Sequence, residues 1–185
     1  MSIPNLLAVV RIILTPIAMV LIAWSVGDTP MTVTAAVVFA VAALTDFADG
    51  YLARRWKITT TLGAFLDTIA DKILLTGALL ALVYIGTTSM WAAFIMIGRE
   101  IAVMGLRSVA ALDKSEIVPP SIWGKSKAAV QFVAITVAIL RPDIVIGPLR
   151  LDEWLMWVAV IVTLLSGWEY FSRFRSVLSP RRRVD

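Results

Sequence analysis

Residues 31–85 read MTVTAAVVFAVAALTDFADGYLARRWKITTTLGAFLDTIADKILLTGALLALVYI. Two apolar runs, Met31–Ala53 and Leu62–Ile85, stand on either side of the basic stretch Arg54-Arg55-Trp56-Lys57. Each is long enough to cross a hydrocarbon core, which takes about 20 residues of helix. Aspartates interrupt both runs: Asp46 and Asp49 in the first, Asp67 and Asp71 in the second. A carboxylate at membrane depth costs at least about 2.5–3.5 kcal/mol on insertion scales, so four in one hairpin must be compensated by something the hairpin holds.

The rest of the chain continues the apolar pattern. Leu6–Val26, Met90–Leu112, Lys127–Leu140 (starting near Ile122) and Trp154–Phe171 supply four more spans. Gly27-Asp28-Thr29-Pro30 and Gly86-Thr87-Thr88-Ser89 are turn signals, and Arg141-Pro142-Asp143 with Gly147-Pro148 breaks the chain before the last span. The first span has no clear small-residue cleavage site and is read as a retained helix. Of 185 residues, 59% are hydrophobic and 16% charged, against about 25% charged in an ordinary soluble domain. The expectation is an all-α integral membrane protein of six transmembrane helices, one transmembrane domain over residues 1–185. The chain has no Cys and no His. That excludes disulfides, thiolate nucleophiles, imidazole acid/base chemistry and His- or Cys-ligated metal.

Six spans put both termini on one side. Eleven of the 17 Lys and Arg fall in Arg54–Lys57, in the segment of Lys114, Lys125 and Lys127, and in the tail from Arg173 to Arg183, against Arg141 and Arg150 on the other face. The basic face, with both termini, is therefore expected to be cytoplasmic. The Arg-rich tail reads as an anchor beside anionic lipid, and most of the seven Trp read as interfacial belt residues.

The aspartates are spaced to act together. Asp46 and Asp49 are i,i+3 and Asp67 and Asp71 are i,i+4, so each pair lies on one helix face. Counted from the loop at 1.5 Å per residue, Asp49 and Asp67 lie roughly 8 and 10 Å deep on the basic side. Carboxylates without His or Cys favour Mg²⁺ or Mn²⁺, and four negative charges suit two such ions. Paired ions of this kind clamp the oxygens of phosphoryl transfer. Gly50 and Gly63 leave space at the same depth, and Arg54, one turn beyond Gly50, is placed to meet a phosphate. Lys72 points about 100° from Asp71 and reads as a packing or pairing residue.

These residues resemble the signature of the CDP-alcohol phosphotransferase family, D-x2-D-G-x2-A-R-x8-G-x3-D-x3-D, with Asp46, Asp49, Gly50, Ala53, Arg54, Gly63, Asp67 and Asp71 at every fixed position. Softer segments are similar to the phosphatidylglycerophosphate synthases within it: Ile3-Pro4-Asn5 with Arg11, Gly98-Arg99-Glu100 with Gly105 and Arg107, Gly124-Lys125 with Lys127 and Gln131, and Ser166 to Tyr170. The resemblance implies transfer of the phosphatidyl group of CDP-diacylglycerol to sn-glycerol 3-phosphate, with CMP leaving. It implies Asp46, Asp49, Asp67 and Asp71 as metal ligands, Asp71 also as general base, and Asn5, Gly50, Ala53, Arg54, Thr60 and Gly63 around the CDP-diacylglycerol. A homodimer in a bacterial inner membrane, with its active site facing the cytoplasm, is implied as well. Two positions depart from the pattern. Ala8 stands where Asn-x-x-Thr is common, which removes a hydroxyl from the nucleotide side, and Thr68 stands where Pro often follows the third Asp.

A phosphorylated acceptor needs cations on the same face. Arg107, Lys125 and Lys127 are the expected phosphate contacts, while Arg99 is expected to pair internally with Glu100 or Glu169. Two alternatives stand beside this reading. One is a sister transferase using inositol phosphate, serine or phosphatidylglycerol. The other is a divalent-cation transporter, since intramembrane carboxylates also mark ion paths.

Overall fold

The computed structural model of the chain describes the backbone of residues 3–56, 61–112 and 122–178, with side chains over residues 6–45, 63, 65–109 and 127–172. Six helices follow in order: α1 Ile3–Trp24, α2 Thr29–Trp56, α3 Thr61–Tyr84, α4 Met90–Leu112, α5 Ile122–Leu140 and α6 Leu151–Leu178. They match the expected spans to within a few residues at most ends. α1 packs on α3 and α2, α5 on α6 and α2, and α4 on α6 and α3.

The helix ends are set by local chemistry. Asp28 caps α2, its Oδ1 accepting from Met31 N at 3.0 Å. α3 closes on Gly86 at φ 76°, with Thr87 N donating to Leu82 O and Gly86 N to Val83 O, both at 3.0 Å. This is the paired-bond ending that a left-handed glycine permits. Ser89 opens α4, its Oγ accepting from Trp91 N at 3.3 Å. The break expected after α5 is a small hairpin, β1 Val145–Ile146 paired antiparallel with β2 Leu149–Arg150. Gly147 takes φ 64° at its tip, and Trp154 Nε1 donates to Ile146 O at 2.9 Å, tying the hairpin to α6.

α1 and α6 each have a buried and an exposed face. On α1, the face of Ala8, Arg11, Thr15, Ala18 and Ile22 is buried, while Val10, Ile13, Ile17, Val20 and Trp24 are exposed. α6 buries Met156, Ala159, Thr163, Ser166 and Tyr170 and exposes Trp157, Ile161, Leu164, Leu165 and Trp168. On these two helices small and polar side chains gather on the inward face and large apolar ones dominate the outward face, the arrangement of helices solvated by lipid. Among the described residues, Leu6–Trp24 and Leu151–Ser172 are long and apolar enough to cross a membrane, and Thr29–Thr45 and Lys127–Leu140 are shorter apolar stretches. α3 carries Asp67, Asp71 and Lys72 and α4 carries Arg99, Glu100 and Arg107, and all six line one cavity.

The core is built from Ile22, Phe39, Leu74, Leu79, Leu82, Met96, Ile135 and Ile139, interleaved with buried alanines. At the α1–α3 crossing a Cβ on Gly77 would lie 2.6 Å from Thr15 Cγ2 and 2.9 Å from Met19 Sδ. Only glycine lets the two backbones approach that closely.

Candidate active site

The expected site residues divide by where the description reaches. Thr60 lies outside the described residues. Asp46, Asp49, Gly50, Ala53 and Arg54 fall within the helical backbone of α2, Asn5 within α1 and Lys125 within α5, but their side-chain surroundings lie outside the described residues. Gly63, Asp67, Asp71, Arg107 and Lys127 are described.

A cavity of about 620 Å³ gathers most of the second group. Asp67, Asp71 and Lys72 of α3 line one side, Arg99, Glu100 and Arg107 of α4 another, with Lys127 of α5 and Tyr170 of α6 completing the wall. The i,i+4 spacing places Asp67 and Asp71 one above the other on α3. The basic residues expected for a phosphate therefore face the carboxylates expected for a metal across a single space.

Asp67 and Asp71 each have a cation beside them. Arg11 Nη1 donates to Asp67 Oδ1 at 3.4 Å, bridging 56 residues of chain. Lys72 Nζ reaches Asp71 Oδ2 at 3.4 Å. Neither carboxylate is consumed by its partner: the Asp67 and Asp71 side chains remain 47% and 31% exposed. Both contacts are longer than the roughly 2.7–2.9 Å of a tight charge-assisted hydrogen bond. Two hard-oxygen donors a turn apart, open to a polar cavity, fit a divalent cation of the Mg²⁺ type. Among the described residues no three carboxylates gather, since Asp46 and Asp49 lie beyond them.

Glu100 is the residue that sequence reasoning undervalued. It is 5% exposed, and Lys72 donates to its Oε2 while Lys127 donates to its Oε1. Arg99 Nη1 also donates to Oε1, at 3.2 Å. The expected internal pair of Arg99 with Glu100 is present, and so is the pairing role of Lys72. Lys127, expected as a phosphate contact, lines the cavity but is buried, its ammonium paired with Glu100. A lone acid in the middle of the apolar α4 was the available signal, because an intramembrane charge needs partners.

Tyr170 was also not singled out for the site. It is buried, with the Arg107 guanidinium 4.9 Å from its ring centroid and that of Arg99 at 5.7 Å, distances at which a cation is attracted to the ring face. Arg107 Nη2 also donates to the Tyr170 hydroxyl. Arg99 Nη2 donates to Ser166 Oγ at 2.6 Å, so α6 braces both α4 arginines.

Comparison with known proteins matches the family model for CDP-alcohol phosphatidyltransferase over residues 1–165. A Bacillus subtilis (strain 168) protein named CDP-diacylglycerol--glycerol-3-phosphate 3-phosphatidyltransferase is 37% identical over 185 residues, covering 93% of this chain and 94% of its own. The protein of the same name from Escherichia coli (strain K12) is 40% identical over 181 residues, covering 96% of this chain and 97% of its own. One from Shigella flexneri matches to the same extent, at 40% identity.

Proposed function

The chain belongs to the CDP-alcohol phosphatidyltransferase family, and we propose that it transfers the phosphatidyl group of CDP-diacylglycerol to sn-glycerol 3-phosphate, giving phosphatidylglycerophosphate and CMP. The relatives' shared name supports the reaction. The observation that carries it to the residues is the one cavity in which Asp67 and Asp71 face Lys72, Arg99, Arg107 and Lys127. A hydroxyl to be deprotonated and a phosphate to be neutralised on the same small molecule call for that pairing of acid and base.

In this reading Asp71 takes the proton of the acceptor hydroxyl as its oxygen attacks the phosphorus bearing the diacylglycerol. The bond from that phosphorus to the bridging oxygen breaks, and CMP departs with the electron pair. Positioned general-base catalysis contributes roughly 10²–10⁴-fold. Asp46, Asp49, Asp67 and Asp71 would hold two divalent ions, Mg²⁺ or Mn²⁺, which when bound neutralise the diphosphate. Asn5, Gly50, Ala53, Arg54, Thr60 and Gly63 would line the CDP-diacylglycerol side. Arg107, Lys125 and Lys127 would meet the acceptor phosphate. Arg11 meets Asp67 from α1, its guanidinium 3.4 Å from Oδ1.

The cellular setting belongs to the same proposal. The chain would form one domain of six transmembrane helices in the inner membrane of a bacterium, with both termini and the cavity mouth on the cytoplasmic side and two copies paired as a homodimer. The distribution of Lys and Arg supports the orientation.

The test is acceptor choice. Purified protein is given CDP-diacylglycerol with glycerol 3-phosphate, inositol phosphate, serine or phosphatidylglycerol, and CMP release is followed. Release with glycerol 3-phosphate well above the others is expected. Preference for another alcohol would replace the acceptor while leaving the family standing.

A further inference from the structure

We propose that Glu100 is a positioning residue, whose buried carboxylate holds Lys72 and Lys127 together as a preformed cradle for the phosphate of the acceptor. This rests on the reading of the cavity as an acceptor site and adds to it a residue that no substrate contact would reveal. The two oxygens of Glu100 are divided between the lysines, Oε2 taking Lys72 and Oε1 taking Lys127. Arg99 closes on Oε1 at 3.2 Å. Through these contacts one carboxylate joins α3, α4 and α5, and Arg99 carries the connection to Ser166 on α6. All four of these charged side chains line the cavity.

The charge balance makes the arrangement more than a buried salt bridge. Three cations share one carboxylate, so the group is left with net positive charge, and the Lys72 contact to Asp71 uses an acid that the reaction itself needs. A buried carboxylate would repel a phosphate dianion if it touched one directly. Placed behind the lysines, it instead fixes their ammonium groups where a phosphate can meet both. Lysine rotamer freedom is then given up during folding and not again on binding, which favours the acceptor without touching it. Removing one partner from a buried charged cluster leaves the others uncompensated, so the effect of losing Glu100 is felt where the lysines act.

The test uses full-length protein in detergent micelles with CDP-diacylglycerol, scored by CMP release. Glu100→Gln keeps the shape and removes the charge. Its KM for glycerol 3-phosphate is expected to rise tenfold or more, with the KM for CDP-diacylglycerol within twofold of the parent. Glu100→Asp, which keeps the charge with one methylene less reach, is expected to give an intermediate, equally selective rise of threefold or more. If Glu100→Gln does not fold, Glu100→Asp decides alone. An unchanged KM for glycerol 3-phosphate, or an equal rise for both substrates, overturns the inference. If the parent protein prefers another acceptor, the acceptor reading fails separately. The same variants are then scored by protection of the protein from thermal unfolding by inorganic phosphate. A tenfold rise in the half-maximal phosphate concentration for Glu100→Gln upholds the cradle. No shift, or no saturable effect of phosphate on the parent, overturns it.

Discussion

Asp71 sits one turn beyond Asp67 on α3, half open to the cavity and touched by a single described cation, Lys72, at 3.4 Å. A base must be able to reach its proton, and that contact is too long to occupy both oxygens. Replacing the carboxylate by an isosteric amide, Asp71→Asn, removes the acceptor for the proton while nearly preserving volume. Turnover is expected to fall by roughly 10²–10⁴-fold, with CDP-diacylglycerol binding measured by equilibrium dialysis falling far less. Full turnover in that variant would remove Asp71 as the base. Asp67 is expected to behave differently from Asp71, because the proposed mechanism gives it a metal to hold and no proton to move. Treatment with EDTA is expected to abolish CMP release, and added Mg²⁺ or Mn²⁺ to restore it, since hard oxygen donors bind these ions reversibly. Undiminished activity in the chelator would remove the metal from the account and leave Asp67 and Asp71, among the described residues, paired with Arg11 and Lys72. The Arg11 contact itself is not visible in the chain order: Arg11 and Asp67 are 56 residues apart, and nothing in either local pattern names the other.

Helices are the most legible level of this chain, because apolar runs bounded by Gly, Pro and Ser leave few other structures open to them. α4 begins and ends where its run of sequence does, and Asp28 and Ser89, legible as parts of turn signals, cap α2 and α4. The short hairpin of Val145–Arg150 is less legible, since Arg141, Pro142, Gly147 and Pro148 signal only that helix stops. How helices pair is not legible at all from period and composition. Gly77 illustrates this: it looks like any glycine in an apolar run, yet it is the point where α1 crosses α3, with Thr15 and Met19 against it. Gly77→Ala is expected to destabilise the protein by about 1–3 kcal/mol, the usual cost of forcing an extra methyl into packed space. Gly105 has nothing within 4 Å of its added Cβ, so Gly105→Ala is expected to be neutral or to stabilise by up to about 1 kcal/mol through helix propensity. Thermal unfolding of both variants in the same detergent checks the contrast, and equal effects would mean that Thr15 and Met19 yield to a methyl at the α1–α3 crossing. The site shows the same division: the carboxylate pairs and the basic residues are legible as types at set depths, whereas the Glu100 hub appears only once α3, α4 and α5 are brought side by side.

At the scale of the whole molecule, tryptophans mark helix ends at both interfaces, and charge tells the two faces apart. Trp24 closes α1, Trp91 opens α4 and Trp154 opens α6, and all three are exposed. In a six-span arrangement these three helix ends share one face, where an aromatic belt meets the headgroups. The opposite face carries eleven of the 17 Lys and Arg in its loops and tail, against Arg141 and Arg150 on the tryptophan face. A polar cavity opening toward the basic face would draw anionic soluble substrates from the cytoplasm, while exposed apolar faces such as Val10, Ile13 and Ile17 of α1 stay in lipid where the second substrate dissolves. The chain lends itself to a direct test of orientation because it contains no Cys, so any thiol introduced is the only one present. Ser89→Cys lies between α3 and α4, at an exposed position on the tryptophan face. Ser179→Cys lies beyond α6, in the arginine-rich tail. In spheroplasts of a bacterial host, a membrane-impermeant maleimide is expected to label Ser89→Cys at once and Ser179→Cys only after the membrane is opened. The reverse pattern would turn the molecule over and place the carboxylates beneath the outer leaflet, away from the cytoplasmic supply of the phosphorylated acceptor. Labelling of both from outside would require an even number of crossings between the two positions, and one of the helices α4, α5 and α6 would then have to lie along the membrane without crossing it.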